Sequence, residues 1–172
     1  MNYSGLIPAD FANGIGVRVT LFVSGCDLRC KGCHSPDLQS FENGVAFDSA
    51  AENQLFSYLR KPWVSGITIS GGHPLAERNR TAVRELLLKI REQFPDKNVW
   101  LYTGYELTEK DFSPETGKLY STLALCDVVV DRPFVESLRN VTLAFRGSSN
   151  QRIIDVQKTI ETGEVTTLDY DN

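Results

Sequence analysis

The chain has 172 residues, 41% apolar and 23% charged, which fits residues 1–172 as one globular domain burying roughly two thirds of its unfolded surface. Its net charge of −4 gives no electrostatic case for gripping phosphate backbones, so no nucleic-acid partner is expected. No apolar run approaches the ~20 residues that cross a bilayer, and the opening MNYSGLIPADFANG lacks the basic and apolar regions of a signal peptide, so a cytoplasmic protein without membrane contact is expected.

The first predicted strand is Val17 to Val23, rich in β-branched and aromatic residues and bounded by glycines. It runs straight into the segment SGCDLRCKGCH. After a polar stretch, Asp48 or Ser49 can cap a helix reaching Leu59, with Glu52 placed three residues after Ser49 as in a capping box. A second strand, Val64 to Ser70, enters the turn GGHP. The next helix, about Asn79 to Phe94, spaces Val83, Leu86, Leu87, Ile90 and Phe94 along one face and stops at Pro95. Strand three, Val99 to Tyr102, leads into TGY and an irregular helical region to about Leu125. Strand four, Asp127 to Asp131, holds the VVV run of a strand covered on both faces. A fifth strand, about Val141 to Phe145, is expected before RGSSNQR. The tail from Gln151 reads either as a hairpin around Gly163 or as a short helix with a following strand.

Strands alternating with helices predict an α/β fold with a parallel sheet. The cysteine segment, GGHP, TGY, DRPF and RGSSN all follow predicted strand ends, where parallel α/β folds gather their sites. About five parallel strands are too few for a closed eight-stranded barrel, so an open, partial (β/α) barrel is expected.

Cys26, Cys30 and Cys33 fall within eight residues. In a reducing compartment, clustered cysteines hold metal or do chemistry more often than they form disulfides. Electron-transfer iron–sulfur cubes use four thiolates; three leave one iron open to a substrate. Structural zinc on Cys26, Cys30, Cys33 and His34 is the alternative, but adjacent Cys33 and His34 would have to occupy two corners of one tetrahedron. Cys126, ahead of the VVV run, is expected to be a core thiol.

The C-x3-C-x2-C loop after the first strand, with a glycine turn after the second, resembles the radical S-adenosylmethionine superfamily. More narrowly, NGIGVRVTLFVSGC, SGGHPL, LYTGY, DVVVDRPF and RGSSNQR, in this order, resemble the activating proteins of anaerobic, class III ribonucleotide reductase. That resemblance implies a [4Fe-4S] cluster on Cys26, Cys30 and Cys33, with S-adenosylmethionine on the open iron. It implies reductive cleavage of S-adenosylmethionine and a glycyl radical placed on the large subunit of the reductase. Activases of other glycyl radical enzymes, such as pyruvate formate-lyase, and small-molecule radical enzymes are the alternatives.

Residue by residue, the resemblance places Gly32, Cys33 and His34 against the cofactor's adenine. It places Gly71, Gly72 and His73 at its ammonium group. His73 stands where this family usually carries Asp or Glu: a neutral imidazole offers a lone pair, whereas a protonated one repels the cation, so cofactor affinity is expected to weaken as pH falls. Arg29 and Lys31 flank the ligands and suit an acidic electron donor such as reduced flavodoxin. Arg146, Ser148, Ser149, Asn150 and Arg152 can donate to a cofactor carboxylate, to the partner, or within their own loop. Trp63, Trp100 and Tyr102 are expected in the core.

Overall fold

A computed structural model describes residues 1–171. In chain order its elements are β1 (Asn2–Asp10), β2 (Arg18–Val23), β3 (Val45–Ala46), α1 (Ser49–Leu59), β4 (Gly66–Gly71) and α2 (Glu77–Gln93). They continue with β5 (Asn98–Tyr102), α3 (Tyr120–Leu123), β6 (Val128–Asp131), β7 (Arg152–Asp155), α4 (Val156–Thr162) and β8 (Thr167–Leu168). The strands form a single eight-stranded sheet of order β3-β1-β2-β4-β5-β6-β7-β8.

Four strands, β2, β4, β5 and β6, pair in parallel. The expected five are corrected to four, because Val141 to Phe145 is turn and the strand that completes this side is β7, antiparallel to β6. Val141 is 84% exposed, as a buried strand residue never is. At the other edge, antiparallel β1 was not anticipated: glycine, proline and polar residues break the two-residue alternation that marks a strand. The tail takes the second of its two expected forms, α4 followed by β8, ending α4 at left-handed Gly163.

Register separates two faces. Leu21, Ile69, Leu101, Val129 and Ile154 lie side by side across the sheet and join the large core cluster with Leu55 and Leu59 of α1, and Val83, Leu87 and Ile90 of α2. Their neighbours Phe22, Ser70, Tyr102, Val130 and Ile153 line the opposite face. There Trp100, Val128, Val130 and Ile153 form a smaller cluster with Phe145 and Tyr170. Trp100 is therefore core as expected, while Trp63 is 52% exposed and is not.

The end of the sheet away from the cysteines is shut by Arg18, fully buried at the start of β2. Its guanidinium donates to Thr68 Oγ1 (2.7 Å), Asn98 Oδ1 (2.6 Å) and the Ile67 carbonyl (2.6 Å), and lies 5.3 Å from the Trp100 ring centre. Burial pushes its pKa down to about 10, and this full set of acceptors is what makes a buried cation tolerable. Helix α1 is capped by Asp48, whose side chain accepts from Ala51 N at 2.9 Å. Ser49 is thus inside the helix, and Glu52 closes no capping box but pairs with Lys89 at 2.8 Å.

Candidate iron–sulfur site

Because β2, β4, β5 and β6 run in parallel, the cysteine loop, GGHP, TGY and DRPF all emerge at one end of the sheet. RGSSN joins them for a different reason: it precedes β7, which runs the opposite way and starts beside Asp131. These loops enclose a cleft of about 260 Å³ bordered by Cys26, Cys30, Cys33, Gly71, Gly72 and Tyr102, among others. His34 borders it as well. A wider depression of about 790 Å³ adjoins it, sharing Cys33 and His34 and adding Gly32 and Val141.

Local geometry shapes the loop. Leu28 packs on Gly104, where any Cβ would collide with it. Arg29, midway between the first two cysteines, holds a left-handed φ of 48°, a conformation that costs a side-chain-bearing residue energy and persists only where surroundings impose it. The glycine turn is equally constrained: Gly71 has φ of 100°, and a Cβ there would lie 2.6 Å from the Val23 carbonyl oxygen. At Gly72 a Cβ would lie 2.8 Å from the Leu38 carbonyl oxygen. Both positions thus require glycine for packing, whatever approaches from the cleft.

Asn79, which sequence reading passed over, ties these pieces together. It is 1% exposed, and its Nδ2 donates to the carbonyls of Ser24 (2.9 Å) and His73 (3.1 Å), joining the start of the cysteine loop to the glycine turn. The signal lay in its register with Val83, Leu86 and Ile90 on the buried face of α2, a position where an amide needs a reason.

The structure places His73 apart from the cleft lining. The side chain is 1% exposed, with Nδ1 2.6 Å from Asp27 Oδ1 and Nε2 2.8 Å from Thr103 Oγ1. Tyr105 stacks edge-on to the ring at 4.3 Å and donates its hydroxyl to Asp27 Oδ2 at 3.1 Å. Burial holds His73 below its ordinary pKa against the opposing pull of Asp27. A neutral ring protonated at Nδ1 satisfies every partner: it donates to Asp27 and accepts from Thr103, whose oxygen in turn accepts from Tyr105 N. The lone pair is thereby spent inside the protein, on Thr103, and is not offered to the cleft.

The thiols respond to their surroundings differently. Burial pushes Cys30 up, with nearby Cys26 and Cys33 adding to it and the Phe134 backbone N–H opposing it. Fully buried Cys126 is pushed up to about 12 by burial and donates to the Thr122 carbonyl, the core role expected of it. A thiol reagent applied to the folded, cluster-free chain should therefore label Cys26, Cys30 and Cys33 and spare Cys126 until denaturant is added. Equal labelling rates, read by mass spectrometry, would contradict that placement.

The donor set distinguishes one ion from a cluster. A single tetrahedral zinc with bonds of about 2.3 Å draws its ligand atoms to within about 4 Å of one another. Among the described residues, the group with ligand atoms within 4.8 Å of one another is Cys26, Asp27 and His73, not the three cysteines. Both nitrogens of His73 are already engaged. Three thiols around one cleft at wider spacing fit a multi-iron body better than one ion.

The RGSSNQR segment serves mainly as a brace. Ser148 Oγ accepts from Val135 N (3.2 Å), and Asn150 Nδ2 donates to the Pro133 carbonyl (2.8 Å), steadying DRPF. Arg146 pairs with Asp171. Arg152 grips fully buried Asp131, from Nε to Oδ1 at 3.0 Å and from Nη2 to Oδ2 at 2.5 Å. Tyr102 borders both depressions and donates its hydroxyl to the Phe145 carbonyl at 2.7 Å.

The cysteine-lined cleft lies at the parallel end of an α/β sheet, and the class is that of single-cluster iron–sulfur proteins: residues 12–154 match a family described as a 4Fe-4S single cluster domain. Similar over most of their length are three proteins named anaerobic ribonucleoside-triphosphate reductase-activating protein. The one from phage T4 is 37% identical over 153 residues, 89% of this chain and 93% of its own. The Haemophilus influenzae protein is 38% identical over 155 residues, 89% and 97%, and that of Escherichia coli K12 is 38% identical over 153, 88% and 96%. The chain belongs to the family of anaerobic ribonucleoside-triphosphate reductase-activating proteins. No helix among the described residues is long and apolar enough to cross a membrane.

Proposed function

We propose that this chain activates an anaerobic ribonucleoside-triphosphate reductase in the cytoplasm, holding a [4Fe-4S] cluster on Cys26, Cys30 and Cys33 beside S-adenosylmethionine. The observation that carries this reading is a single cleft bordered by all three loop cysteines and by the turn Gly71-Gly72. Bound there, cluster and S-adenosylmethionine supply a one-electron reductive cleavage whose radical takes hydrogen from a glycine of the reductase.

The chain's own residues bind, orient and shield. Cys26, Cys30 and Cys33, which border the cleft, would hold the cluster by their thiolates and leave one iron without a protein ligand. Gly71 and Gly72 present backbone to the ammonium group, and Gly32 and His34 border the space for the adenine. Leu28, Tyr102 and Phe134 keep water from the cleft walls. The sheet and its covering loops act as an open, partial barrel in one domain, whose wider depression admits the glycine-bearing loop of the reductase large subunit. Exposed Arg29, which makes no ion pair among the described residues, and Lys31, paired with Glu136 at 3.4 Å, suit an acidic reductant such as flavodoxin.

The test mixes the reduced, anaerobically reconstituted chain with S-adenosylmethionine and the reductase. Electron paramagnetic resonance should show a glycyl radical only when all three are present, together with released methionine. Methionine release with a radical on pyruvate formate-lyase and none on the reductase would replace this partner by another.

A further inference from the structure

Asp27 and His73 stand 46 positions apart, at the ends of different strands, and meet beside the first cysteine. We propose that they form a clasp fixing Cys26 against the glycine turn, with His73 a positioning residue that acts through Asp27 rather than a contact of the cofactor. The functional consequence rests on the cluster and S-adenosylmethionine reading above; the geometry rests on hydrogen bonds alone.

His73 is the immovable half. Its ring is held by Thr103 and by the edge of Tyr105, its backbone N–H donates to the Gly25 carbonyl at 2.7 Å, and its carbonyl accepts from Asn79. Those four restraints come from β2, β5 and α2 and the loops after them, so the ring reports the position of the whole parallel end. Asp27 is the mobile half, with its side chain 43% exposed. Left alone, such a carboxylate would turn to solvent and carry its chain neighbours, Cys26 among them, with it. Instead each of its oxygens is taken, Oδ1 by His73 and Oδ2 by Tyr105.

The residue so held immediately follows Cys26, whose sulfur lies within 4.8 Å of both partner groups. Two residues further on, Arg29 holds its left-handed backbone. A loop carrying that strain relaxes unless it is tied down next to it, and Leu28 on Gly104 supplies one tie. The clasp supplies the other. Fixing Cys26 fixes one corner of the cluster, and through it the direction in which the open corner faces.

Coupled residues lose their shared interaction once, whichever partner is removed. Asp27→Ala and His73→Ala, each in the reconstituted full chain, should both change the line shape of the reduced cluster and weaken S-adenosylmethionine binding about tenfold, and the double variant should be no worse than either. His73→Asn keeps a donor for Asp27 where Nδ1 stood and should restore the line shape. In the cluster-free chain, Asp27→Ala should shift the ring-nitrogen resonances of His73. Losses that multiply to about a hundredfold in the double variant would overturn the clasp. So would weakened binding in His73→Ala with Asp27→Ala silent, which makes His73 a direct contact. Should His73→Ala not fold, Asp27→Ala with His73→Asn decides the matter by the same line shapes. If the wild-type cluster ignores S-adenosylmethionine, the proposed function fails, while line shape and ring-nitrogen shifts still decide the clasp.

Discussion

Cys30→Ala should reduce the anaerobically reconstituted chain from about four irons to less than about one, and with it abolish radical formation on the reductase. Cys30 is the middle cysteine of the loop, where burial and the nearby Cys26 and Cys33 thiols push its pKa up. On the proposed ligation, removing it leaves only Cys26 and Cys33 to hold the cluster. The fold should survive, because Cys30 lies in a loop outside the buried core. Circular dichroism matching wild type, with iron and brown colour lost, is the expected pair of results. Full iron content in the variant would show that Cys30 is not a ligand.

Arg152→Ala should cost about 3–5 kcal/mol of stability, the penalty for stranding a buried carboxylate. Asp131 is 0% exposed and its two oxygens depend on Arg152, helped among the described residues only by Leu107 N at 3.0 Å. Arg152 also donates to the Leu107 carbonyl at 2.7 Å, so one side chain joins β6, β7 and the segment after TGY. Replacing both charges, as in Asp131→Leu with Arg152→Met, should cost less than Arg152→Ala alone, since no lone charge remains. Urea unfolding of the three proteins measures this. A loss under about 1 kcal/mol for Arg152→Ala would place the pair among weak surface contacts.

The parallel strands, the two long helices and the cysteine loop were legible because each is encoded locally: apolar runs of the right period, bounded by glycine or proline. So was the gathering of the cysteine loop, GGHP, TGY and DRPF at one sheet end, which follows from the direction of the four parallel strands. The misplaced fifth strand shows the limit. Val141 to Phe145 has the composition of a strand, but Tyr102, Trp100 and Tyr170 hold Phe145 in an aromatic cluster while Ile153 and Ile154 take the place beside β6. Choosing between two short apolar runs depends on which one the sheet can pair, and that is tertiary information.

The position of His73 was hidden for the same reason. Its partners are Asp27 and Thr103, 46 and 30 residues away, and no spacing rule joins them. Asn79 was more accessible, since a polar residue on an apolar helix face is visible as an irregularity. The roles within RGSSNQR split along the same line. Asn150 and Arg152 spend their donors on DRPF and Asp131, contacts that exist only once β7 turns back beside β6.

The most direct test of the account is the resonance spectrum of the reduced, reconstituted chain before and after S-adenosylmethionine is added. A cluster signal whose g-values shift on addition is the predicted result, because an open iron facing the cleft must sense what binds it. One tightly bound zinc in place of iron, or a cluster signal that stays the same at saturating S-adenosylmethionine, would contradict it.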